Sequence, residues 1–166
     1  EVNSEIMDLY KKHKKMGSTK EEFLIDAAKI EGVYVPSLYD ISYNEDGTIK
    51  EMKPLHGAPE RVTKRIIKDL DKVEYPESFV VPYIDVVHDR VTHEIFRGCI
   101  RGCRFCQAGF IYRPIREKSP DTINEQCKTL CKNTGYDEIS LCSLSSSDYT
   151  KIEELLTKLL EWTGSE

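Results

Sequence analysis

No apolar run in the sequence approaches the roughly eighteen residues that a membrane-spanning helix requires, and no signal peptide opens the chain. Neither a membrane partner nor a secretory route is expected. Internal repeats and low-complexity tracts are missing as well. The first residue is Glu rather than Met, so the chain is expected to be an excised piece or a processed product. Positive charge is in short supply: the net charge of −5 argues against a general nucleic-acid-binding surface. What remains is an ordinary folding composition, 39% hydrophobic and 32% charged over 166 residues, enough for one domain with a core or for pieces of two.

The six cysteines also lack something, namely the even scatter of a disulfide scaffold. Three of them, Cys99, Cys103 and Cys106, crowd one loop with the spacing C-x3-C-x2-C, interleaved with Gly98 and Gly102. The glycines let the backbone take positive φ in a tight turn. Crowded cysteines in a chain rich in Lys and Glu point to a reducing, cytoplasmic setting, where they serve metals more often than disulfides. Iron–sulfur clusters are held by such thiolates, and three cysteines on a four-iron cube leave one iron open. A structural zinc site wants four Cys or His ligands, commonly as paired C-x2-C spacings, and no second pair is present at such spacing. Between Arg97 and Lys118 six cations (Arg97, Arg101, Arg104, Arg113, Arg116, Lys118) face one anion, Glu117. That patch suits an anionic cluster, a phosphate-bearing substrate such as RNA, or plain solvation.

The spacing, with the aromatic Phe105 just before the last cysteine, resembles the signature of the radical SAM superfamily. The longer strings RGCIRGCRFCQAGFIYRPIREKSP and ISLCSLSSSDY are similar to an uncharacterised radical SAM family. Its members are often preceded by a cobalamin-binding-like domain and are distantly related to methylthiotransferases. The resemblance implies an α/β fold: the start of a partial (β/α)6 barrel, two βα units, preceded by an α+β region with two helices and a β-hairpin. It implies a [4Fe–4S] cluster on Cys99, Cys103 and Cys106, with S-adenosylmethionine on the open iron. Reductive cleavage would then give methionine and a 5′-deoxyadenosyl radical, for methyl or methylthio transfer to RNA or protein, with a flavodoxin or ferredoxin as reductant. Phe105 would lie near the adenine. Ser145, Ser146, Ser147 and Asp148 occupy the place of a Gly-Gly-Glu-like motif that is missing here, and would meet the methionyl amino group. The Gly-rich and His-bearing motifs of a cobalamin site are also missing, so cobalamin would enter only through a domain absent from this chain.

Three regions follow: a helical segment at 1–32, a hairpin and linker at 33–90, and the barrel start at 91–166. Asn3 or Ser4 is expected to cap a first helix with Ile6, Leu9, Tyr10 and a packed His13 on one face, stopped by Gly17. Ser18 with Glu21, or Thr19 with Glu22, reads as a capping box for a second helix that runs to Gly32. Val33 to Val35 reads as a short β-run. Tyr39 to Tyr43 and Thr48 to Met52 read as a hairpin turned by Asp46-Gly47, its tyrosines packing against the barrel. Arg61 to Lys68 reads as a strand, residues 69–76 as a connector, and Phe79 to Val81 and Ile84 to Val87 as extended apolar runs.

Val91 to Phe96 is the expected first barrel strand. Ser119 and Pro120 open a helix with Ile123, Cys127, Leu130 and Cys131 on one face, closed by Gly135. Glu138 to Cys142 is a second strand, with Cys142 read as core. Asp148 is expected to cap a last helix that buries Ile152, Leu155, Leu156, Leu159 and Leu160. From Val91 the 76 residues allow two βα units of the barrel's six, so the isolated piece is expected to turn over poorly if at all. Two other readings stand beside the enzyme: an iron–sulfur electron carrier with Cys142 as fourth ligand, and a zinc-stabilised binding module that adds a histidine such as His93.

Overall fold

The computed structural model describes residues 2–163. The chain forms two compact units, one ending at Ile67 and one beginning at Lys68.

In the first unit, α1 spans Asn3–Met16 and α2 spans Lys20–Ala27. Neither Asn3 nor Ser4 caps α1: the amide of Ile6 already bonds the Val2 carbonyl, which makes Val2 the cap and draws both residues into the helix. Gly17 ends α1 at φ 67°, where Ser18 donates back to the His13 carbonyl. Ser18 is thereby committed to the first helix, and Thr19 with Glu22 forms the capping box of α2 at 3.2 and 2.8 Å. Helix α2 stops at Ala27, well before Gly32, because the chain passes into successive three-residue turns at Asp26–Lys29, Ala27–Ile30 and Ile30–Val33. His13 is packed as expected, buried against the Phe23 ring with its Nε2 at 3.2 Å from the Asp26 carboxylate.

Strands β1 (Tyr39–Tyr43) and β2 (Ile49–Pro54) form the expected antiparallel hairpin. Asp46 Oδ1 accepts the Thr48 amide at 2.9 Å and so fixes the turn. Val33 to Val35 makes no strand: Val33 is tied into a turn, and Pro36 opens a 3-10 turn at Pro36–Leu38. Arg61 to Lys68 is irregular as well. Its Arg65 reaches Glu5 and Glu31 instead of offering a ladder. Tyr39 packs in this unit's own core, with Ala28, Val35, Leu38 and Ala58, and donates to the Pro59 carbonyl at 2.8 Å, while Tyr43 is exposed.

The second unit is of α/β character. Strand β3 (Val91–Glu94) and strand β6 (Ile139–Cys142) pair in parallel, Val91 opposite Ile139 and Glu94 opposite Cys142. Helix α4 (Pro120–Thr134) connects them, capped by Ser119 Oγ on the Thr122 amide at 3.2 Å and closed by Gly135. Among the described residues this parallel sheet has two strands, and they do not close a barrel. The strand expected at 91–96 is divided. At Ile95 the carbonyl turns to the Lys118 amide, and the next two residues form β4 (Phe96–Arg97), antiparallel to β5 (Arg116–Glu117). A short helix α3 (Ala108–Ile111) lies between β4 and β5.

The core of this unit joins Ile95, Phe96, Ile123, Cys127, Tyr149, Leu155 and Leu159. In helix α5 (Ile152–Thr163), Leu156 and Leu160 are 46% and 70% exposed, because the packed stripe is Ile152, Leu155, Leu159 and Trp162. The connector at 69–76 is no loose tether: Asp71 accepts the Ser119 amide at 2.7 Å and the Tyr75 ring packs on His93. The apolar stretch after it is irregular, with Val80, Tyr83, Ile84 and Val87 exposed.

Candidate functional site

The cysteine loop hangs from the β4–β5 ladder. Phe96 faces Glu117 and Arg97 faces Arg116, so the loop leaves and returns through one two-stranded base. Gly98 is the first residue beyond it, at φ 103°; a Cβ there would lie 2.6 Å from both the Tyr112 and the Pro114 carbonyl oxygens. The returning backbone occupies the space of a side chain, in a conformation that L residues rarely adopt. Gly102 takes φ 61°, and a Cβ on Gly109 would lie 3.0 Å from its amide nitrogen. The start of α3 therefore packs directly on the backbone between the first two cysteines. The amide of Cys106 bonds the Cys103 carbonyl at 3.0 Å, which places these two residues at the ends of one turn.

All three thiols are free, Cys103 exposed and Cys99 and Cys106 half-buried. Among the described residues they are not drawn into a group of three that holds a metal ion. The donor set itself fits an iron–sulfur cluster: three free thiols on a loop whose ends are fixed and whose middle is open. Phe105 projects into solvent, 94% exposed.

A second segment meets this loop. Arg101 donates from Nε to Asp148 Oδ2 at 2.6 Å, and its terminal nitrogen bonds Oδ1, a bidentate pair. Ser145 Oγ donates to the same carboxylate at 2.7 Å. These bonds, Arg101 first and Ser145 second, hold the Asp148 carboxyl down to about 2. The Arg101 guanidinium is pushed up by Asp148 and, more weakly, by the nearby Cys99 and Cys103 sulfurs. Asp148 does not cap α5, which starts four residues later; it closes a 3-10 turn at Ser146–Asp148. Ser146 turns away, its hydroxyl 2.9 Å from that of Ser143, and Ser147 is exposed. Of the four serine-turn residues, Asp148 is thus tied to the cysteine loop through Arg101, and Ser145 supports it through Asp148.

The remaining cysteines separate. Cys127 is core, and burial pushes its thiol up to about 12. Cys131 is half-buried on the same helix. Cys142, expected in the core, is exposed, because it is the last residue of β6, where the chain leaves the sheet.

One buried polar cluster carries no mark in the sequence. Lys118, counted as part of a basic patch, is 3% exposed. Its Nζ donates to Gln126 Oε1 at 3.1 Å, lies 3.4 Å from His93 Nε2 and sits 4.3 Å over the Tyr75 ring. Burial pushes its ammonium down. Burial first, then the Lys118 charge, push His93 down to about 4. An imidazole that faces an ammonium through Nε2 keeps its proton on Nδ1, and Nδ1 is buried without a partner. A metal ion at Nε2 would have to tolerate that cation, which counts against His93 as a zinc ligand. No pattern of residue types marks Lys118 as buried, since a lysine in a run of arginines reads as solvated. The basic run as a whole is largely committed: Arg97 bonds Glu94, Arg113 the Gly109 carbonyl and Arg116 the Pro114 carbonyl.

Residues 93–162 match the family model of the Radical SAM superfamily. No curated protein and no solved structure matches the chain.

Proposed function

We propose, on the match of residues 93–162 to the Radical SAM superfamily model, that Cys99, Cys103 and Cys106 hold a [4Fe–4S] cluster whose open iron takes S-adenosylmethionine. The observation that carries this reading is the placement of three free thiols on a loop rooted beside the C-terminal end of β3, within the matched segment. When bound, such a cluster supplies one electron to the sulfonium, and the break of its bond to the 5′-carbon yields methionine and a 5′-deoxyadenosyl radical. The chain's own part is positional. Gly98 and the β4–β5 ladder anchor the loop, and Arg101 supplies positive charge beside Cys99 and Cys103. Ser145 and Asp148 would offer hydroxyl and carboxylate to the methionyl amino group, and Phe105 its ring to the adenine.

In this reading residues 91–166 begin a partial barrel and the preceding region is accessory. The electron would come from a flavodoxin- or ferredoxin-like protein in the cytoplasm, and the radical would serve methyl or methylthio transfer to RNA or protein. No helix among the described residues is long and apolar enough to cross a membrane.

The exposure of Cys142 favours a second reading, a non-catalytic carrier with that thiol as fourth ligand. Anaerobic reconstitution with iron and sulfide separates the two. On adding S-adenosylmethionine, the spectrum of the reduced cluster shifts if one iron is open. A cluster that does not respond, and that Cys142→Ala abolishes, supports the carrier. Uptake of zinc with no iron overturns both.

A further inference from the structure

The geometry points to a latch: the Arg101–Asp148 ion pair fastens the cysteine loop to the turn after β6, so that both segments face a ligand as one preformed surface. The use assigned to this surface rests on the cluster reading above; the latch itself is a property of the chain without iron.

The two partners differ in how they are held. Asp148 is a fixed receptor. Its side chain is only 13% exposed, it accepts Ser145 Oγ, and its amide bonds the Ser145 carbonyl at 2.8 Å. The residues that follow anchor it further. Tyr149 is buried and donates from Oη to the Lys118 carbonyl at 2.7 Å, and the Thr150 amide bonds Glu117, a residue of β5, at 2.9 Å. The receptor is thus bolted to the base from which the loop hangs. Arg101 is the movable part. It lies in the exposed middle of the loop, between Cys99 and Cys103, and reaches Asp148 across 47 positions of sequence. An isolated ion pair between two mobile surface side chains contributes little, because both must be immobilised. Here one partner is already fixed and the contact is a two-bond fork, the geometry in which arginine loses least freedom per bond.

Arg101 is therefore a positioning residue, acting on the loop that bears the thiols and not on a reacting atom. Hydrogen exchange on the 166-residue chain without iron tests it. Asp148→Asn and Arg101→Gln are each expected to speed amide exchange across residues 99–107 by roughly fivefold, with α4 amides unchanged. The charge-swapped double variant Arg101→Asp/Asp148→Arg is expected to restore much of the protection, which a general structural role would not do. Unchanged loop exchange in Arg101→Gln, whose side chain is exposed and tolerates replacement, overturns the latch; so does an equal loss of protection in α4. Iron uptake by the wild-type chain is scored separately. Protection by the pair without iron uptake keeps the latch and sinks the cluster reading, and iron uptake without protection does the reverse.

Discussion

Burial, and after it the neighbouring Lys118, sets the state of His93 in the interior of the second unit. His93 is neutral there, held well below its ordinary value of about 6.5 by burial and by that ammonium. Between about pH 6.5 and pH 4 the unfolded chain binds a proton at His93 that the folded one refuses, so stability is complete above that window and falls as pH drops through it. The loss amounts to about 3 kcal/mol by pH 4, and His93→Gln is expected to flatten the slope in a denaturant titration across this range. At Gly98 the constraint is steric. Gly98→Ala would place a methyl against two carbonyl oxygens at a φ of 103°. It is expected to lower stability by about 2 kcal/mol or more, read by thermal unfolding, and to release the loop.

Among the elements, helix α4 was the most legible, because its cap, its first-turn proline and its closing glycine are local signals. Ser119→Ala is expected to cost about 1 kcal/mol in equilibrium unfolding, the usual worth of a side-chain cap. The hairpin was legible for the same reason. Strand ends were not: β3 and β4 read as one alternating run, and the switch at Ile95 depends on β5, a two-residue partner with no pattern of its own. The β-branched run at 61–68 misled because propensity yields to tertiary partners, here Glu5 and Glu31 for Arg65. At the site, the cysteine spacing and the glycines with positive φ could be read from the chain. The Arg101–Asp148 contact could not, since nothing in either segment names a partner 47 positions away.

For the molecule as a whole, surface and core are unevenly shared. Val80, Tyr83, Ile84 and Val87 form an exposed apolar stretch, and the parallel sheet has two strands among the described residues. Such surface promotes association. Sedimentation is expected to show weak, concentration-dependent self-association that Val80→Lys with Ile84→Lys reduces; unchanged association in that variant would place the contact elsewhere.

Under the proposed function, three of the six cysteines, Cys99, Cys103 and Cys106, hold a cluster and the other three do not. Iron and sulfide counted per chain after anaerobic reconstitution of single alanine variants decide this. About four irons are expected in the wild type, in Cys131→Ala and in Cys142→Ala, with a large loss in Cys99→Ala, Cys103→Ala and Cys106→Ala. Full iron content in any of the last three, or a wild-type chain that takes up none, would contradict it.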